Sequence, residues 1–159
     1  MIHVHVYEKW WIVLTIIMLV AFTAAIGVSA FAAGIQVPSP YALVDPKTVA
    51  KTPPFDNPGL RELSPGKYEA YVLAQASPWK FTPAEIRVPV GATVTFYVTS
   101  VDVQHGFKIQ DTNINMQILP GQVSKLTHTF DKAGEFPYEC TEYCGVGHQN
   151  MFGKIVVGP

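Results

Sequence analysis

The chain has 159 residues, 48% of them apolar and only 14% charged, with a formal net charge of −1. Soluble domains carry about a quarter charged residues, so this composition excludes an ordinary soluble domain, and the length admits one domain plus an appendage. A near-zero charge leaves no clustered positive surface for nucleic acid, and two cysteines are too few for a disulfide scaffold. The wealth of aromatic and β-branched residues excludes a disordered chain.

From the N-terminus, residues 10–33 form a run of 24 positions without a charge, and the next charged residue is Asp45. At about 1.5 Å of rise per residue a helix over this run is roughly 36 Å long, enough to cross a hydrocarbon core of about 30 Å. Trp10 and Trp11 open the run, where amphipathic rings favour the headgroup level. A cleaved signal peptide is the competing reading, because Ala30, Phe31 and Ala32 resemble a cleavage site. The run is longer than the roughly 7–15 residues of a signal's apolar region, and the leader sets Glu8 beside Lys9, its only cation. Residues 1–35 are therefore expected to be a tail and a retained single-pass transmembrane anchor. One lysine is a weak orientation signal, and the chemistry of the C-terminal part places the N-terminus in the cytoplasm and the domain outside.

Residues 34–66 carry seven of the 13 prolines, at positions 38, 40, 46, 53, 54, 58 and 65. Proline at this density opposes both continuous helix and central strand, so residues 36–66 are expected to be a stiff, surface-running, proline-rich linker. Asp45 followed by Pro46 suits the cap of one short helical turn over residues 47–51.

From Lys67 the apolar pattern has period two, the mark of half-buried strands. In residues 92–100, Val94, Phe96 and Val98 face one way and Thr93, Thr95, Tyr97 and Thr99 the other. Residues 67–75, 85–90, 123–130, 135–139 and 154–157 read as further strands, separated by glycine- and proline-bearing turns. Many short strands in residues 67–159 predict an all-β domain, an antiparallel sandwich or Greek-key barrel.

Sulfur and imidazole concentrate in two places. His105 is expected to end a strand in TSVDVQHGF, and Cys140, Cys144, His148 and Met151 lie in CTEYCGVGHQNMFG, between two predicted strands. Thiolate, imidazole and thioether are soft ligands that suit copper better than magnesium or calcium. Alternatives are a Cys140–Cys144 disulfide, structural zinc on two cysteines and two histidines, and a Met151 that merely fills the core. The spacing C-x3-C-x3-H-x2-M behind a distant histidine disfavours all three, since zinc has no use for the thioether and a disulfide none for either histidine. A mononuclear blue-copper site takes one cysteine, whereas here there are two, which can bridge two copper ions. His3 and His5 precede the apolar run, and His128 sits within a predicted strand; none is assigned a metal role.

The segments PAEIRVPVGATVTFYVTSVDVQHGF, LPGQVSKLTHTFDKAGEFPYECTEYCGVGHQNMFG and KIVV resemble the copper-bearing domain of cytochrome c oxidase subunit II. The resemblance covers the chain from about Trp79 to the end and implies a cupredoxin fold with a dinuclear copper-A centre. It implies that Cys140 and Cys144 bridge both coppers and that His105 and His148 each bind one. Met151 would be the weak axial ligand of one copper and the backbone carbonyl of Glu142 that of the other. The single anchor and the YEKWW stretch resemble the shorter B-type enzymes of the haem–copper oxidase superfamily. The aromatic stretch used elsewhere for electron uptake is reduced here to Trp79 and Phe81.

The expected function is thus a one-electron relay in a terminal oxidase of a prokaryotic plasma membrane. An external cytochrome c or small copper protein would be the donor, and haem in the large subunit the acceptor, where oxygen is reduced and protons are pumped. A tethered blue-copper carrier, a copper chaperone, a quinol oxidase subunit and a nitrous oxide reductase domain are the competing classes. The resemblance also suggests a proton-uptake role for Glu8 and a magnesium ion at the subunit interface reached by the Glu142 side chain. Their bland counterparts are an interfacial charge and a solvated carboxylate. Asp102, Asp111, Glu139 and Glu142 form a candidate acidic rim.

Overall fold

A computed structural model describes residues 5–32, 34 and 40–158, and the chain divides into two compact units between residues 36 and 37. The first unit is one helix, α1 (Val6–Phe31), long and apolar enough to cross a membrane. His5 caps it, its Nδ1 accepting from the Tyr7 amide, and Glu8 lies in the first turn, where a carboxylate favours the helix dipole. The hydroxyls of Thr15 and Thr23 donate to the carbonyls of Trp11 and Leu19 at 2.9 and 2.8 Å, so neither is left unpaired in hydrocarbon.

The second unit contains eleven strands among the described residues: β1 (Pro40–Leu43), β2 (Gly59–Ser64), β3 (Lys67–Ala76), β4 (Trp79–Thr82), β5 (Glu85–Pro89), β6 (Ala92–Ser100), β7 (His105–Ile109), β8 (Asn115–Ile118), β9 (Gln122–Phe130), β10 (Gly134–Glu139) and β11 (Phe152–Gly158). One sheet runs β1-β9-β6-β3-β2 with β4 added beside β3, and the other β5-β11-β10-β7-β8. The pairings are not all antiparallel: β3 with β6 and β5 with β11 are parallel. Between β3 and β6 the chain visits the other sheet through β5, so it re-enters the first sheet in its original direction. The result is the cupredoxin-like sandwich that the sequence leads one to expect.

β6 shows why the sheets close. Val94, Phe96 and Val98 are completely buried between the sheets. On its other face Thr93 and Thr95 pair hydroxyl to hydroxyl with Thr129 and Thr127 of β9 at 2.9 and 3.0 Å, a cross-strand contact that helps hold register. Phe81, Phe107 and Tyr138 form the aromatic centre of the core, with ring centroids 5.1–5.5 Å apart. The buried Tyr138 phenol donates to the Pro83 carbonyl at 2.6 Å.

The stretch expected as a linker does more than connect, because residues 40–64 supply β1 and β2. Pro40 stands at the first position of an edge strand, where its missing N–H does no harm. The turn after β1 begins at Asp45, whose side chain accepts the Lys47 amide and whose carbonyl accepts the amides of Thr48 and Val49. A short 3-10 turn (Val49–Lys51) follows, as the Asp45-Pro46 signal suggested. Val49 and Phe55 are buried with Leu73, Tyr97 and Val123 in a second small core on the outer face of the first sheet. Phe55 meets Tyr71 edge-on, Tyr71 stacks on Tyr97, and Tyr41 meets Tyr97 from the other side, at 5.0–5.5 Å. Arg61 fastens the cover by donating to the carbonyls of Pro54 and Asn57. Each fully buried side chain of the Val or Phe kind contributes about 1.5–3 kcal/mol. The covering segment is thus a stability element.

Candidate metal centre

Three pieces of chain meet at one end of the sandwich. His105 does not end a strand, as expected, but begins β7: residues 101–103 bend first, the Asp102 amide donating to the Ser100 hydroxyl and the Val103 amide to the Asp102 carboxylate. β10 delivers Cys140 and β11 leaves from Met151, and the β10–β11 ladder is extended by a bond from the Cys140 amide to the Met151 carbonyl at 3.0 Å. The loop between is folded by a bond from the His148 amide to the Gly145 carbonyl and by a 3-10 turn (His148–Asn150). Gly106 admits this loop: an added Cβ there would lie 2.1 Å from Thr141 Oγ1 and 2.8 Å from its amide nitrogen.

The Cys140 and Cys144 sulfurs lie 3.8 Å apart, beyond the roughly 2.05 Å of a disulfide bond, and both are free thiols. His105 Nδ1 is 3.8 Å from the Cys140 sulfur and His148 Nδ1 is 3.6 Å from the Cys144 sulfur. Met151 Sδ is 3.8 Å from the Cys144 sulfur, and the Glu142 carbonyl oxygen is 3.2 Å from that of Cys140. All six expected donors therefore lie around one sulfur pair. The ligand atoms of His105, Cys140 and Cys144 fall within 4.8 Å of one another, with all three residues buried. A thiolate–metal bond is about 2.3 Å, so an ion on either flank of sulfurs spaced this way reaches both. The set is rich in soft donors and fits copper.

Electrostatics make the same point. Burial pushes the Cys140 thiol up, but hydrogen bonds from His105 and from the backbone of Gly106 and Glu142 outweigh it and hold the thiol below its ordinary range. Burial and the adjoining Cys140 push the Cys144 thiol well above its range. Two thiolates this close repel, and a cation between them is what permits both to ionise.

Two contacts were not legible beforehand. Asp102, expected only as part of an acidic rim, sets Oδ1 3.0 Å from His105 Nε2 and so turns Nδ1 toward the sulfurs. Burial opposes its ionisation, but the Ala76 amide, His105 and the Val103 amide together hold its carboxyl below the usual range. Trp79 donates its indole N–H to the Cys144 carbonyl at 3.2 Å. The D-x-x-H spacing was the available signal for the first; the second joins residues 65 apart and left none.

Asp111 is not at this rim. It lies beyond the far end of β7, lining a recess with His128 and Asp131. Phe81 is buried in the core and unavailable for docking, and Trp79 is half-buried. His128 Nδ1 lies 2.6 Å from Asn113 Oδ1, away from the sulfurs. The Glu142 side chain is exposed. Glu8 belongs to the helical unit. Tyr143, Val146 and Phe152 leave 77%, 78% and 66% of their surface exposed around the loop.

Residues 72–158 match the family model for the periplasmic domain of cytochrome c oxidase subunit II. The chain is 43% identical to cytochrome c oxidase subunit 2 of Thermus thermophilus over 155 residues, covering 95% of this chain and 91% of the relative. It superposes on a chain from a cryo-EM structure of a haem–copper terminal oxidase dimer with a TM-score of 0.77 and 34% identity, covering 95% of this chain and 99% of that one. The periplasmic domain of subunit II of cytochrome oxidase (CoxB) of Bradyrhizobium japonicum shares the fold at 22% identity and a TM-score of 0.51, covering 56% of this chain and 82% of its own. With a copper-suited donor set on a cupredoxin-like sandwich and a helix fit to cross a membrane, this chain belongs to the cytochrome c oxidase subunit II family.

Proposed function

We propose that the chain is the electron-receiving subunit of a haem–copper oxidase, holding a dinuclear copper-A centre on Cys140, Cys144, His105, His148, Met151 and the Glu142 carbonyl. The observation that carries this reading is the pair of free thiols 3.8 Å apart with one imidazole Nδ1 directed at each. When bound, the copper pair supplies a one-electron couple suited to passing electrons from an external donor to haem in the large subunit.

The chain's own task is to keep the donors still. The hydrogen bond between Cys140 and Met151 closes the ligand loop at its base, Asp102 fixes the His105 ring, and the two sheets supply an apolar floor. Ligands anchored this way leave little to rearrange between oxidation states, and little water reaches the sulfurs. A chaperone needs no such rigidity. The donor, a cytochrome c or small copper protein, meets the exposed Tyr143 and Val146 beside His148. A net charge of −1 offers no long-range steering, so this contact relies on apolar surface. In the membrane of a prokaryote α1 packs beside the large subunit, with the N-terminus cytoplasmic and the copper domain outside.

Metal analysis and spin-resonance spectra of the full chain loaded with copper test the proposal. Two coppers per chain sharing one unpaired electron when oxidised are expected; one copper per chain, or zinc retained in its place, overturns it. Glu8 at the cytoplasmic surface is proposed as a proton-uptake group, and Glu8→Gln in the assembled oxidase should then slow turnover. Unchanged turnover makes it an interfacial charge.

A further inference from the structure

β3 and β4 form a hairpin whose last pair is Ala76 with Trp79, and this hairpin holds no copper ligand. Its two ends nevertheless reach both parts of the site. On one side the Ala76 amide donates to Asp102 Oδ2 at 2.6 Å. Oδ1 of the same carboxylate lies 3.0 Å from His105 Nε2, accepts the Val103 amide at 2.7 Å, and lies 3.3 Å from the Ser100 hydroxyl. On the other side the Trp79 indole donates to the Cys144 carbonyl at 3.2 Å. Its ring fills the space over Gly145 and Gly147, where an added Cβ would meet ring atoms at 3.2 and 2.3 Å.

We propose that the β3–β4 hairpin is a bracket that sets the spacing between His105 and the Cys144–His148 arm, with Asp102 and Trp79 as its positioning residues. The Ser100 hydroxyl gives its one proton to the Val103 carbonyl, so three donors hold the carboxylate, the Ala76 amide on Oδ2 and the Val103 amide and His105 Nε2 on Oδ1. Bound at both oxygens, it has one orientation and transmits the position of Ala76 to the His105 ring. Three residues further on, Trp79 transmits the position of the same hairpin to the Cys144 backbone. A shift of the hairpin therefore moves both imidazole-bearing arms, and loosening one anchor loosens the other. Asn at position 102 retains one acceptor oxygen but turns an NH2 group toward a donor, so it breaks half of the connection.

The bracket rests on the copper-A reading only for its effect on the metal, so the test has two arms. In the metal-free full chain, hydrogen exchange at the Trp79 indole N–H is followed by NMR in Asp102→Ala, which does not touch that group. A coupling of the usual 1–3 kcal/mol corresponds to about 5–150-fold faster exchange, with Asp102→Asn between Ala and wild type. Exchange unchanged within about twofold means two independent anchors and overturns the bracket. Should Asp102→Ala fail to fold, Asp102→Asn carries the same comparison. In the copper-loaded chain, Asp102→Asn and Trp79→Phe should each shift the reduction potential, and the double variant should differ from the sum of the two. Additive shifts overturn the bracket. A chain that takes up no copper overturns the copper-A reading and leaves the exchange result standing.

Discussion

His105 and His148 each present Nδ1 to a cysteine sulfur, at 3.8 and 3.6 Å, but they are held by different means. His105 begins a strand, is completely buried, and has its far nitrogen against Asp102. His148 opens a 3-10 turn, is half-buried, and has the exposed Tyr143 ring 6.0 Å away. The cysteines follow the same division: Cys140 continues a strand paired on both sides, and Cys144 lies in the loop. One half of the centre is thus built on the sheet and the other on the loop; both sulfurs are buried, and the loop half is open only at its imidazole. For the proposed electron relay this division is useful, since a sealed imidazole can set geometry while an accessible one can lie beside a donor.

The largest expected effect ignores the division. Cys140→Ser or Cys144→Ser should each abolish the proposed dinuclear centre, because a hydroxyl is a poor bridging ligand, and loss of the second copper in metal analysis checks it. Removing an imidazole should expose the difference. Exogenous imidazole should restore the copper spectrum of His148→Gly, whose ring is accessible, and fail to restore that of His105→Gly, whose space no solvent reaches. Restoration of both, or of neither, would show that the halves are equally open or equally sealed.

Gly147→Ala perturbs the open half through packing. The Gly147 φ of −99° suits any residue, so space is what forbids the methyl group, 2.3 Å from the Trp79 ring. Overpacking of this kind costs about 1–3 kcal/mol, measurable as a lower denaturation midpoint in the metal-free chain. Met151→Leu should be milder, leaving two coppers but shifting the reduction potential, because a weakly bound thioether would tune the copper more than hold it. The smallest change in copper spectra is expected for Glu142→Gln, since in the proposed centre position 142 would contribute only its carbonyl. If its exposed carboxylate binds a magnesium ion at the subunit interface, as proposed from the family resemblance, the intact oxidase should hold magnesium and lose it on this substitution; retained magnesium makes it a solvated carboxylate.

How far the sequence could be read depended on distance along the chain. Four of the six proposed ligands lie in residues 140–151 as side chains, where a short loop leaves little choice but convergence, so C-x3-C-x3-H-x2-M was readable directly, whereas the Glu142 carbonyl came from family resemblance alone. His105 came from chemistry and family resemblance. The cover over the first sheet was missed because prolines hide strand periodicity, and because Tyr97 and Thr99 look like solvent-facing positions until something packs on them. The sequence left Phe81 as a remnant of the aromatic stretch used elsewhere for electron uptake, and only the meeting of β4 with β7 and β10 shows it buried among Phe107 and Tyr138.

By itself the sequence determined the apolar helix, the alternating strands and the soft ligand loop, since each depends on neighbours within one turn, one strand or one short connection. Tertiary structure alone decided that the Asp102 carboxylate reaches back to Ala76, that Trp79 ties down Cys144, and that one imidazole is sealed while the other meets solvent. The physical reason is that burial, and the hydrogen bonds it makes obligatory, depend on what the other sheet and the distant loops bring alongside, a property no local window contains.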